Sequence, residues 1–481
     1  MTQLDFMILL PAAFALLSVA LGRRSPSAPR LVAVAAVAIQ AVLLISLAPA
    51  GVFSGVRIVG AQPSALAAVW ATSIDGLSTP FVVLTLFIGA AAVIASWRIT
   101  DRPGTYFALL LALQAALTGV FLAENLVLFY IAWESVLVPM YFLIGGWGSS
   151  NRRHAATKYL LYTFGAGAVM LIGVILSLMS QAHSANISDI AANAATLPVA
   201  GAIFWLFMVG FLVKLPVVPL HTWLPDAHTE APTAGSIVLA GVMLKMGGYG
   251  ILRIAMPFAP TAFGAARPLL AVLGVVGIVY GAAMALVQTD LKRLVAYSSV
   301  SHMGFVMLAI AAATPNALGA ALFAMISHGF VAGMLFLLVG SLYDRTHTRE
   351  ISRFGGLGRV MPVWGFAFTF GALASLGLPA LSGFPGEFVT VLESFTVFGW
   401  WGLVATLGLV LGAAYNLRAV RSSVHGPTGE FDSLPDLSGR EIGLSGVFAL
   451  AIVVLGVQPM LVLNVADSAL RALARVVGGG A

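Results

Sequence analysis

Apolar residues run continuously along this chain. Stretches of about twenty, the length at which a helix crosses a hydrocarbon core of roughly 30 Å, follow one another almost from end to end. They lie near 4–22, 31–49, 76–96, 106–123, 125–147, 157–179, 200–222, 234–257, 268–288, 294–313, 317–342, 361–399, 401–420 and 441–464, which predicts about 14 transmembrane helices. Strands of a membrane barrel would alternate with period two, and these runs do not; helices that satisfy their own backbone groups are the remaining way to cross. The predicted fold class is all-α, a polytopic membrane protein.

Two of the runs are interrupted. In the seventh, Lys214-Leu215-Pro216-Val217-Val218-Pro219 puts two prolines within four residues, removing two amide donors and freeing the carbonyls of Leu212 and Leu215. In the twelfth, Gly377-Leu378-Pro379-Ala380-Leu381-Ser382-Gly383-Phe384-Pro385-Gly386 cannot continue as one helix, and Glu387 follows at once. The breaks are five spans apart, and an odd displacement reverses direction across the membrane. That predicts two inverted five-helix repeats with discontinuous helices 7 and 12, the arrangement that places ion sites in transporters. The expected organisation is one membrane domain, 1–481: 1–105 carrying helices 1–3, 106–257 the first repeat (helices 4–8), 268–420 the inverted second repeat (helices 9–13), and 441–464 helix 14. The longest connections, 50–75, 181–198, 344–360 and 421–439, are too short for a soluble domain.

Composition agrees with lipid as the solvent. Of 481 residues, 60% are hydrophobic and only 9% charged, against about a quarter charged in soluble domains. The net charge of +6 is explained by position. Most Lys and Arg fall in odd-numbered connections, among them Arg23, Arg24, Arg152, Arg153, Lys292, Arg293, Arg345, Arg349, Arg353 and Arg421, while Arg57, Arg253, Arg267, Arg471 and Arg475 lie on the other side. This asymmetry predicts odd connections in the cytoplasm, both termini outside, and no nucleic-acid partner. The first run carries Asp5 at its start and Arg23-Arg24 after it, which predicts an uncleaved helix rather than a signal peptide. There is no cysteine, so the chain can hold neither a disulfide nor a thiolate-ligated iron–sulfur cluster. None of Lys158, Lys214, Lys245 and Lys292 follows a glycine, so no Walker A loop is present.

Ionisable residues inside spans are few, and each costs at least a few kcal/mol near the bilayer centre unless paired or hydrated. The clearest are Glu134 midway along the fifth run, Lys214 and Lys245 in the seventh and eighth, and Glu387 after the second break. Loss of hydration disfavours the charged form of such groups and an opposite charge nearby favours it, so changes in pairing can move protons among them. The alternative is a set of fixed ion pairs holding helices together. His302 and His328 can bridge the two sets, because imidazole both donates and accepts; they can equally bond nearby Ser298, Ser299, Ser301 or Ser327. The stretch 221–232, with His221, Asp226, His228 and Glu230, lacks regular metal-ligand spacing and reads as a polar cytoplasmic gateway toward Lys214; no metal site is expected. Glu124 begins the fifth run, as a solvated cap or a second carrier, and Glu393 follows Glu387 on a different helical face.

Three segments carry a resemblance: KLPVVPLHTWLPDAHTEAPTAGSIVLAGVMLKMGGYGILR from Lys214 to Arg253, AYSSVSHMGF from Ala296 to Phe305, and SGFPGEF from Ser382 to Phe388. They resemble the antiporter-like proton-channel subunits of respiratory complex I, over nearly the whole chain. Subunits of multi-subunit sodium/proton antiporters share the pattern and give the alternative function. The twelfth-span residue discriminates: the subunit M (subunit 4) type carries a glutamate there, the L and N types and most antiporter relatives a lysine, and here it is Glu387. WESVLVPMYFLIGGWG is also similar to the M type.

The resemblance implies a proton-translocating, non-redox subunit of NADH:quinone oxidoreductase. Glu134 and Lys214 would form the controlling pair, Lys245, His302 and His328 a central hydrated axis, and Glu387 the terminal carrier. His221, His228, Glu124 and Glu393 are secondary candidates. The chain itself would hold no cofactor. NADH, FMN, iron–sulfur clusters and quinone would belong to partner subunits in the redox arm, with L-type and N-type subunits on either side, in a bacterial cytoplasmic membrane. Glu393 departs from the small or apolar residue expected in relatives, which leaves open a second acidic step at the exit.

Overall fold

With no water in a hydrocarbon core, each amide must find its partner inside its own segment, and the chain accordingly folds into helices. The computed structural model describes residues 2–60, 69–180, 184–197 and 199–478, so parts of the connections read at 50–75 and 181–198 lie outside the described residues. Among the described residues 12 helices are long and apolar enough to span a membrane, and two shorter apolar helices, Ala200–Lys214 and Pro362–Ser375, stand before the interruptions. The one strand pairing among them is a two-residue ribbon, Ile58–Val59 against Ser73–Ile74.

Both interruptions are where the prolines and glycines put them. Ala200–Lys214 ends with Leu215 N–H donating to Phe211 at 2.8 Å, the chain runs without α-helix past Pro216 and Pro219, and helix resumes at Trp223–Glu230. Pro362–Ser375 ends before Gly377, which takes a left-handed φ of +79° that glycine tolerates, and helix resumes at Gly383–Phe398.

Other elements differ from expectation. The stretch 221–232 is no open polar connection: Trp223–Glu230 is helical and buried, with Pro225 tolerated in its first turn and Thr229 Oγ1 donating to Pro225 O at 2.6 Å. The last run stops at Val457, ahead of Pro459, and an amphipathic helix, Met460–Gly478, buries Ala466, Leu470, Leu473 and Ala474 well beyond residue 464. The run 125–147 is two helices, Leu126–Ser135 and Leu137–Trp147. Within the span Thr233–Phe258, two π-helical turns, Leu239–Met243 and Ile251–Ala255, flank the short α-helix Leu244–Gly250 that carries Lys245.

The chain packs as two compact units. The first comprises Met1–Leu215, Val242–Arg267 and Leu463–Ala481, the second Pro216–Gly241 and Pro268–Val462. The first chain crossing between them is at the seventh-span break, between Leu215 and Pro216.

Candidate functional site

In the first unit the site is built on four helices. Asn125 caps Leu126–Ser135 by accepting from Val127 N at 2.8 Å and Leu128 N at 3.3 Å, and Glu134 sits one residue before that helix ends. Its Oε1 is buried and has no hydrogen-bond partner among the described residues. Lys214, only 2% exposed, occupies the last residue of Ala200–Lys214, where a cation is favoured by the free carbonyl end of the helix. Its Nζ lies 5.7 Å from the ring centres of both Trp133 and Tyr159, and the charges of Glu134 and Lys214 interact. Lys245 is fully buried. Its helix approaches the break closely: a Cβ on Gly247 would stand 2.5 Å from Phe211 O and 2.6 Å from Leu215 N, so only glycine fits there.

In the second unit the site is a bonded chain. His302 on Leu291–Ala312 places Nδ1 2.6 Å from Glu387 Oε1, and its Nε2 is 3.2 Å from Ser375 Oγ. Asn416 Nδ2 donates to Ser375 Oγ at 3.4 Å. With the proton on Nδ1, donors and acceptors run in one direction: Asn416 amide, Ser375 hydroxyl, His302 imidazole, Glu387 carboxylate. The His328 ring centre is 5.5 Å from that of His302, and Ser327 Oγ donates to Ser382 Oγ at 2.8 Å. His302, Ser327, His328, Ser375, Gly383 and Glu387 line a cavity of about 20 Å³, enough for one water molecule. The serines nearest His302 in sequence serve the backbone instead: Ser298 and Ser299 donate to Val295 O, and Ser301 to Ile278 O.

The secondary candidates have other surroundings. Glu124 is buried in a knot of connections, where Oε2 accepts from Ser73 Oγ at 2.6 Å and Oε1 accepts from Ser188 Oγ at 2.5 Å and pairs with Arg57 at 2.9 Å. Nearby in the first unit Arg253 holds Asp75 through two bonds of 2.6 and 2.7 Å. Burial alone would push the Asp75 carboxyl up; the guanidinium overrides it and holds the group down at about 2. Glu393 accepts from Thr314 Oγ1 at 2.5 Å and Asn316 Nδ2 at 2.9 Å, and Thr314 in turn caps the helix Pro315–Thr346. His221 meets the rings of Tyr280 and Tyr297, and His228 stacks on Phe336 at 4.6 Å. Among the described residues no group of three or more His, Cys, Asp or Glu is placed to hold a metal ion.

Sequence reasoning missed Ser375, Asn416, Trp133, Tyr159 and the bare face of Gly167 described below. The long separations involved, 73 residues from His302 to Ser375, leave no local signal to find them by.

A family model described as "NADH:quinone oxidoreductase/Mrp antiporter, TM" matches residues 123–412. The chain is 42% identical over 404 residues to "NADH-quinone oxidoreductase subunit M" of Rhodobacter capsulatus, covering 81% of this chain and 79% of the relative. It is 41% identical over 420 residues to the protein of the same name in Pseudomonas aeruginosa, covering 84% and 82%. A chain of "Respiratory complex I from Thermus thermophilus with bound NADH" superposes with a TM-score of 0.89 at 31% identity, over 99% of this chain and 100% of that one. A chain of the "Mrp complex from Dietzia sp. DQ12-45-1b" gives 0.85 at 20% identity over 99% and 100%, a likeness of fold alone.

Proposed function

The chain belongs to the antiporter-like membrane-subunit family of NADH:quinone oxidoreductase, in its subunit M branch, and from that premise we propose how it moves protons. It is an integral membrane protein and a proton-translocating subunit of that complex. Within it, Glu134, Lys214 and Lys245 act as carriers in the first unit, and His302, His328 and Glu387 in the second.

The observation that carries this reading is the 2.6 Å contact between His302 and Glu387 beside a one-water cavity, in a span where ionisable groups are costly. At 2.6 Å the imidazole and the carboxylate are within direct proton-transfer reach of each other, and rotation about Glu387 can present its carboxyl group elsewhere. In the first unit, Glu134 and Lys214 form the controlling pair: opening the pair frees Lys214 to hand its proton on, and closing it resets the unit. Moving one charge against 100 mV costs about 2.3 kcal/mol, so the drive comes from outside these helices. We assign it to NADH-to-quinone electron transfer on the FMN and iron–sulfur centres of partner subunits. The neighbours are L-type and N-type subunits, and this chain's own role is translocation without redox chemistry. The secondary candidates divide: Glu124 and Glu393 anchor connections and a helix cap, and His221 and His228 pack against rings.

The test is neutralisation in the assembled complex. Glu134→Gln and Glu387→Gln are expected to abolish NADH-driven acidification of inverted membrane vesicles while electron transfer from NADH to an artificial acceptor persists. Full acidification in either variant refutes the carrier it removes. Orientation has its own check, since the chain contains no cysteine. A thiol introduced by Ser150→Cys should react with an impermeant label only from the cytoplasmic side, and one introduced by Thr261→Cys only from outside; the reverse pattern would invert the topology.

A further inference from the structure

Glu134 lies against the helix Arg152–Ser180 at a place where that helix has no side chain. A Cβ built on Gly167 would overlap Glu134 Oε1 and stand 2.7 Å from Cδ and 3.1 Å from Oε2, so the carboxyl group fills the volume an alanine methyl would take. The same helix presents Tyr159 to Lys214, and Tyr159, Thr163, Ala166, Gly167 and Met170 form its buried face. One rigid helix therefore touches both members of the controlling pair. Two residues away, Gly165 faces open space, with nothing within 4 Å of its Cβ position.

We infer that Gly167 is a positioning residue for proton transfer: its bare Cα seats the Glu134 carboxyl group and sets its distance from Lys214. The inference rests on the reading of Glu134 as a carrier. Because Oε1 makes no hydrogen bond in the seat among the described residues, shape holds the group there, and it can leave without breaking a bond at that oxygen. A methyl at 167 would have to push the Glu134 Cδ from 2.7 Å out to ordinary contact distance, a shift of about 1 Å, and misplacements near 1 Å in proton-transfer geometry cost one to two orders of magnitude in rate.

The experiment uses the assembled complex in inverted vesicles. Gly167→Ala should lower NADH-driven proton pumping about tenfold or more while electron transfer from NADH to an artificial acceptor is unchanged, and Gly165→Ala should leave both unchanged. The decisive variant is the double one: Glu134→Asp shortens the side chain by one methylene, so added to Gly167→Ala it should restore much of the pumping. A glycine needed only for packing against neighbours other than Glu134 would show no such rescue. Wild-type pumping in Gly167→Ala, or a double variant no better than the single one, overturns the inference. If Gly167→Ala does not assemble, Glu134→Asp must restore assembly, and its failure to do so overturns the inference equally. Glu134→Gln separates the two readings: if it pumps normally, the carrier assignment falls; if it abolishes pumping while Gly167→Ala is harmless, only the seat falls.

Discussion

The first unit holds Glu134 half-buried, with one oxygen bonded to nothing among the described residues, against a glycine and near a lysine flanked by two aromatic rings. The second holds Glu387, 7% exposed, 2.6 Å from a histidine that is itself tied to Ser375. Each acid lies close to an interrupted helix, yet the first is placed by shape and charge and the second by a directed chain of hydrogen bonds. The difference teaches that two broken helices in one chain need not carry the same chemistry. A carboxyl group held by shape has no bond to break at that oxygen and suits a pair that opens and closes. One held by a short bond has a fixed partner and suits a terminal hand-over.

Three expectations would break or sharpen that contrast. The largest effect is expected from His302→Ala, which removes the positioned acid–base partner and should lower proton pumping about a hundredfold; His302→Gln, which keeps a hydrogen-bonding group, should retain more. Equal activity of the two variants would show that the bond is not needed. Next come the matched shortenings. Glu387→Asp draws the carboxyl group out of reach of His302 and should cost about tenfold, whereas Glu134→Asp, with no bond at Oε1 to lose, should keep the larger share of activity. The opposite ranking would erase the proposed difference.

The smallest effect concerns pH. The Asp75 carboxyl is depressed from 3.8 to about 2, so the stability it gives the first unit is fully present above pH 4 and is lost only as pH falls through about 2. Asp75→Asn should therefore leave the shape of a pumping profile between pH 5 and 8 unchanged. A changed profile would implicate Asp75 directly.

Much of this was legible in the sequence, and for physical reasons. Prolines at 216 and 219, and Gly377 followed by Pro379, disfavour a continuous helix, and intramembrane charge is so costly that Glu134, Lys214, Lys245 and Glu387 stand out. What was not legible depends on which face of a helix meets which neighbour. In lipid both faces are apolar, so periodicity gives no orientation, and neither the His302–Glu387 contact across 85 residues nor the seat at Gly167 leaves a local mark. The π-helical turns around Lys245 arise in a stretch that composition reads as ordinary helix. The buried helix Trp223–Glu230 was hidden by its polar residues, which suggested a solvated connection. The helix Met460–Gly478 outruns its apolar pattern because its charges, Asp467 and Arg471 among them, end the apolar run.

The central claim is that a Glu134–Lys214 pair controls proton movement through this chain. Its most direct test is the ratio of protons moved to electrons transferred in vesicles carrying the assembled complex with Lys214→Ala. The account predicts a ratio well below wild type with NADH oxidation by an artificial acceptor intact. A wild-type ratio in a fully assembled complex would contradict it.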